Sequence, residues 1–243
     1  MRFPALLAAL ATPSIRLAPT VIALALAPQA PALLEAYTQV LSAAPLETKT
    51  ATAAALGFVG DAIAQRSSAP PGASVAAFDR PWALLRLYDR PKRADAEWLD
   101  ARRSLGHTAF CAAYTGAFQH ALFPWIGEVC KGGAFSALLH GGGNLALLAA
   151  AERTLLNQLV FIPLLYYPSF FLITGAARGL SFNASARNLR RDLAPLLSRN
   201  LQFWLPIQFV QFAFLPVQWQ VPYICLAGLV WNVILSASAG GSR

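Results

Sequence analysis

An all-α integral membrane four-helix bundle is the fold class this sequence predicts, and four observations predict it. Only 12% of the 243 residues are charged while 56% are hydrophobic, against about 25% charged in a soluble domain. The mean hydropathy is +0.49. From Leu201 to Ser242 the chain carries no charged residue at all. Its basic residues are gathered between the apolar stretches instead of being scattered through them.

A spanning helix needs about 20 mostly apolar residues. The first candidate covers 48–65 and contains Asp61. The second covers 104–126 and the third 154–177, both without Asp, Glu, Lys or Arg. The fourth covers 201–237. Proline removes a backbone donor and bends a helix, so Pro206, Pro216 and Pro222 predict a break, placed near Pro216. Between the second and third candidates, His140-Gly141-Gly142-Gly143 reads as a glycine-rich loop feeding a helix that starts near Asn144. That loop lacks the Lys-Ser/Thr of a phosphate cradle.

Charge tests the span count. Arg66, Arg80, Arg86, Arg90, Lys92, Arg93, Arg102 and Arg103 lie between spans one and two. Arg178, Arg187, Arg190, Arg191 and Arg199 lie between spans three and four, whereas only Lys131 and Arg153 lie between spans two and three. Four spans put the two basic loops on one side, the asymmetry that membrane insertion favours. The net charge of +8 therefore reads as orientation in a bilayer, and nucleic acid is not an expected partner. Residues 184–197 predict an amphipathic interfacial helix with Arg187, Arg190 and Arg191 on one face. Residues 1–34, basic at Arg2 and Arg16 and without an acid, predict an organelle-targeting or apolar N-terminal segment ahead of a single transmembrane domain over 35–239.

The polar residues inside the spans are the candidate site. An ionisable group in a span is costly and usually faces protein or water. Gly57, Asp61 and Gln65 share one helix face, and Gly57, Gly60 and Gly116 let helices approach closely. Two readings of Asp61 are open: a carboxylate lining a solute pathway, or a structural partner for Arg153 or for a helix terminus. His120 is either a proton-sensitive gate or a hydrogen-bonded packing residue. Asn157, Gln158, Gln208, Gln211 and Asn232 either line a polar route or join helices by hydrogen bonds of about 0.6 kcal/mol each. Trp204 and Trp231 read as interface and packing residues. Cys111, Cys130 and Cys225 have no metal-ligand spacing and read as small buried apolar residues. No paired carboxylates, nucleophilic triad or metal spacing appears, so neither catalysis nor a cofactor is expected.

Four motifs stand in a recognisable order. They are Tyr37–Lys49 with Gly60-Asp61…Gln65; Asp100–Arg103 with Gly116 and His120; Arg153, Asn157, Gln158 and Pro163; and Asn200, Trp204, Pro206, Gln208, Phe212, Pro216, Trp231, Asn232, Leu235 and Ser236. Together they resemble the Mpv-seventeen/peroxisomal-membrane-protein family of small four-span organelle membrane proteins. The chain departs from that pattern at Ala117, Leu122 and Phe123, and at Asn157, Leu205, Gln211 and Gln220. The resemblance implies a mitochondrial inner-membrane protein, with peroxisomal and plastid membranes as alternatives. It also implies a small-solute channel or a modulator of membrane permeability. The competing expectation is a non-conducting accessory subunit, in a homo-oligomer or packed against a larger complex.

Overall fold

The structure, a computed structural model, describes residues 30–67 and 99–240. The expected targeting segment up to residue 29, and most of the loop between the first two spans, lie outside the described residues. The chain divides into two units after Pro45. In the first, α1 (Ala30–Ala43) has Thr38 and Ser42 folded back on the carbonyls of Leu34 and Thr38, at 2.7 and 2.8 Å.

In the second unit every described element is helical, with no strand among the described residues. α2 (Pro45–Ser67) starts on a proline, whose missing N–H costs nothing in a first turn, and carries Glu47 in that turn, where the helix dipole favours an acid. α3 (Ala101–Phe110) is capped by Asp100, whose side chain accepts from the Arg103 N–H. It runs without interruption through a π-helical stretch, Cys111–Phe118, into α4 (Gln119–Val129). α5 (Gly133–Leu138) is a short helix within the stretch expected to be loop. α6 (Leu145–Leu156), capped by Asn144, runs through a second π-helical stretch, Asn157–Tyr166, into α7 (Tyr167–Ala177). In both π stretches the closing N–H reaches five residues back, Gln119 to Tyr114 and Tyr167 to Ile162.

α8 spans Phe182–Phe214. The stretch 184–197, expected as a separate interfacial helix, is its first half. The helix runs on through both Pro195 and Pro206, and Leu189, Leu193, Leu196 and Leu197 give that half an apolar stripe to bury. α8 ends on Leu215, in extended conformation (φ −102°, ψ 131°), before Pro216, and α9 (Val217–Gly240) follows.

Tight contacts fix the antiparallel registers. Along α2 and α3–α4, Lys49 meets His120, Thr50 meets Gly116, Gly57 meets Cys111 and Asp61 meets Arg103. Along α7 and α8, Gly175 meets Ser185, Tyr167 meets Asn200 and Gln158 meets Gln208. Glycine is required where backbones meet. A Cβ on Gly116 would stand 2.5 Å from the Thr50 Cα, and one on Gly106 2.6 Å from the Ala177 Cβ.

Two apolar clusters hold the helices. Phe110, Tyr114, Ile162, Tyr167, Phe170, Phe171 and Leu196 join the two π stretches to α7 and α8. There Tyr166 meets Phe110 and Tyr114 edge-on, with centroids at 5.1 and 5.2 Å, contacts worth about 0.5–1.5 kcal/mol each beyond burial. The other cluster joins Ala53 of α2, Leu122, Phe123 and Ile126 of α4, Ala150, Phe212, and Val221, Ile224 and Cys225 of α9.

Among the described residues, one continuous helical stretch is long and apolar enough by itself to cross a membrane: Leu145–Ala177, 33 residues at hydropathy 1.7. At 1.5 Å per residue it measures about 50 Å, well beyond the ~30 Å hydrocarbon layer.

Candidate functional site

The sequence-predicted polar residues fall into three separate places. At the first, the Asp61 carboxylate is 2% exposed and fully engaged. Arg103 donates Nε to its Oδ1 at 2.9 Å, and Ser104 Oγ and Gln65 Nε2 each donate to its Oδ2 at 2.7 Å. Gln65 then accepts the Asp100 N–H on its Oε1 at 2.6 Å. Asp61 and Gln65 lie one turn apart on α2, so both face the first turn of α3. The network joins the end of one helix to the start of the next across the described part of a long connection. Of the two readings of Asp61, this geometry is that of a helix-terminus partner. The partner is Arg103, however, and not Arg153.

Arg153 stands elsewhere. Its Nε and Nη2 donate to the carbonyls of Cys130 and Gly127, at 2.9 and 3.2 Å, closing the end of α4. Beside it Glu152, a residue the sequence reading passed over, accepts the N–H groups of Gly132 and Phe135 at 2.8 and 2.9 Å. It thereby caps the start of α5. Gly132 (φ 86°), Gly141 (φ 81°) and Gly143 (φ 97°) turn the chain through left-handed conformations in this connection, joined by His140 at φ 53°. Burial pushes the Cys130 thiol up, the Glu152 carboxylate adds to that, and Arg153 opposes it.

At the second place, Lys49 donates Nζ to His120 Nδ1 at 3.1 Å. Lys49 is buried and has no acidic partner among the described residues. Gly116, one turn before His120, sets this contact by admitting the α2 backbone. The sequence signal for Lys49 is its place at the close of the first motif, which carries no indication of the His120 contact.

The third place is a buried network of side-chain amides and one phenol between the second π stretch and α8. Asn157 and Gln158 both donate to Gln208 Oε1, at 2.7 and 2.9 Å. Asn200 donates to Gln158 Oε1 at 2.6 Å, and the Tyr167 hydroxyl donates to Asn200 Oδ1 at 3.3 Å. The π stretch begins at Asn157 and presents two consecutive amides to α8. Gln211, three residues after Gln208, is completely buried, and neither of its amide atoms is hydrogen-bonded among the described residues. The side-chain carbonyl oxygens of Asn157, Gln119 and Gln220 are likewise buried without a partner among the described residues. Gln119, Gln211 and Gln220 each lie within four residues of the apolar cluster that joins α4, α8 and α9.

The remaining candidates are packing residues. Gly60 faces the Asn232 side chain, with no room for a Cβ. Trp231 packs on Phe203 with centroids at 4.8 Å, and Trp204 lies against the α4–α8–α9 cluster. Cys130 and Cys225 are buried and all three cysteines are free. No group of three or more potential metal ligands occurs among the described residues.

An all-helical chain with apolar helices, glycine-mediated helix contacts and buried amide networks is a membrane-protein architecture. Residues 175–236 match the model of the Mpv17 / PMP22 family. It is 24% identical over 210 residues to peroxisomal membrane protein 2 of Bos taurus, covering 84% of this chain and 88% of that one. It is 28% identical over 206 residues to protein sym1 of Schizosaccharomyces pombe, covering 85% and 90%. It is 32% identical over 119 residues to the mitochondrial inner membrane protein Mpv17 of Danio rerio, covering 48% and 65%. No solved structure matches the chain.

Proposed function

We propose that this is an integral protein of the mitochondrial inner membrane, with the peroxisomal or a plastid membrane as alternative sites, and that it is a small-solute channel or a modulator of membrane permeability. The names of the relatives support the first two locations. Its topology in this reading is four spans, 48–65, 104–126, 154–177 and 201–237, the last divided near Pro216. The helices α2, α3–α4, α6–α7 and α8–α9 suit that arrangement. The reading includes no catalytic step.

The observation that carries the pathway is Gln211. A buried amide without partners costs about 1–3 kcal/mol for each unsatisfied group, so a chain that needs only stability gains from a leucine there. Water or a passing polar solute supplies the missing partners. Gln119, Asn157 and Gln220 extend the same unmet polarity onto α4, the second π stretch and α9. Solute flux into proteoliposomes tests this. Gln211→Leu leaves the helices folded and as stable or more so, and lowers flux severalfold. Unchanged flux in a folded Gln211→Leu protein refutes the route through Gln211.

One observation favours a second reading, a non-conducting accessory subunit in a homo-oligomer or larger complex. The carboxylate at Asp61 is wholly consumed by Arg103, Ser104 and Gln65, which suits a structural clamp. Silent proteoliposomes, together with loss of an assembled complex on deletion of the chain, select that reading.

A further inference from the structure

We propose that the first half of α8 is a docking surface for acidic phospholipid headgroups, with Arg187 and Arg190 as its phosphate-binding residues. Three observations combine. Arg187, Arg190 and Arg191 are exposed on one face of the helix, while the opposite stripe, Leu189, Leu193, Leu196 and Leu197, is packed into the aromatic cluster. The one acid between Arg178 and Asn200 is Asp192. It is buried and taken up by Arg191 in a two-pronged ion pair, Nε to Oδ1 and Nη2 to Oδ2, both at 2.7 Å. Arg187 and Arg190 have no acidic partner among the described residues.

Register supplies the level. Ser185 lies against Gly175 and Asn200 bonds to Tyr167, so the guanidinium groups stand alongside the last turns of α7. That segment reads Tyr-Pro-Ser-Phe-Phe-Leu-Ile-Thr-Gly and has no charge. The pair of helices therefore carries exposed cations at the end of an apolar span, where the headgroups of a bilayer lie. Leu180 and Phe182, 38% and 69% exposed, precede the arginines and give a lipid's glycerol and upper acyl region an apolar contact. Guanidinium groups bind phosphate oxygens by paired N–H donors, and basic clusters beside spans attract acidic lipids.

The test uses the full-length protein in a neutral detergent at low salt, with native mass spectrometry titrating phosphatidylglycerol against phosphatidylcholine. Wild type retains phosphatidylglycerol in preference, and Arg187→Gln/Arg190→Gln weakens that binding roughly thirtyfold, at about 1 kcal/mol for each arginine. Arg187→Lys/Arg190→Lys keeps most of the preference, and added salt reduces it. Equal retention of the two lipids overturns the proposal, as does full phosphatidylglycerol binding by the glutamine variant at unchanged helicity. Competition by an equal concentration of inorganic phosphate also overturns it, because the surface then binds a soluble anion and not a lipid.

Discussion

At Asp61 the carboxylate and the Arg103 guanidinium are both withdrawn from water, and each depends on the other. Removing one partner of a buried pair leaves the other's charge uncompensated, at about 3–5 kcal/mol. Asp61→Asn is therefore expected to lower the thermal midpoint of the detergent-solubilised protein sharply, and Asp61→Asn/Arg103→Gln to recover part of the loss. Cys130 yields a pH prediction. Its thiol is held above its ordinary range by burial and by Glu152, so its thiolate forms only at higher pH than that of a free cysteine. With Cys111 and Cys225 replaced by alanine, maleimide labelling of Cys130 in the folded protein should lag behind that of the denatured chain throughout pH 7–9. The sequence made Asp61 conspicuous because an acid in an apolar stretch has to be explained. It did not reveal the partner, since Arg103 sits 42 positions away and several arginines in that loop were equally available. Nor did it reveal Glu152, whose role depends on two backbone N–H groups that become neighbours only when α5 folds back on α6.

Among the elements, α2 and the first π stretch illustrate what sequence periodicity reaches. The glycines at 57, 60 and 116 were legible as close-packing positions because small residues recur on one face. The π stretches were not legible, because hydrophobic spacing cannot distinguish 3.6 residues per turn from a wider turn over so short a length. Asn157 and Gln158 meet Gln208 from the start of the second π stretch, and a pairing across 50 positions is not visible in the spacing of either segment. The length of α8 was hidden too. Arginines ahead of an apolar run read as a loop and an interfacial segment, yet the leucine stripe beneath them keeps the helix continuous. A Gly116→Ala change brings its new methyl to 2.5 Å from the Thr50 Cα. The backbone there cannot swing aside as a side chain can. A loss of about 1–3 kcal/mol is expected, read as a lowered unfolding midpoint, together with disturbance of the Lys49–His120 contact. Glu152→Ala should leave that midpoint nearly intact but accelerate amide hydrogen exchange at Gly132 and Phe135, whose N–H groups lose their acceptor.

For the whole molecule, the clamp and the amide core divide the work. The Asp61 network, and Glu152 and Arg153 through their bonds to backbone groups, fasten helix ends. Between α4, the second π stretch, α8 and α9 the uncharged amides Gln119, Asn157, Gln211 and Gln220 are instead buried beside an apolar cluster, and both amide atoms of Gln211 lack a hydrogen bond among the described residues. Composition and the order of the motifs carried the all-helical class and the family resemblance. The inner polar surface depends on which faces of four helices turn together, and one sequence leaves that open. Flux through proteoliposomes of defined size, compared between wild type and Gln211→Leu at matched helicity and thermal stability, is the most direct measurement of the central claim. A wild-type flux of small polar solutes that falls severalfold in the variant is the predicted result. Equal flux in the two proteins, or none in either, contradicts a solute pathway through the amide core.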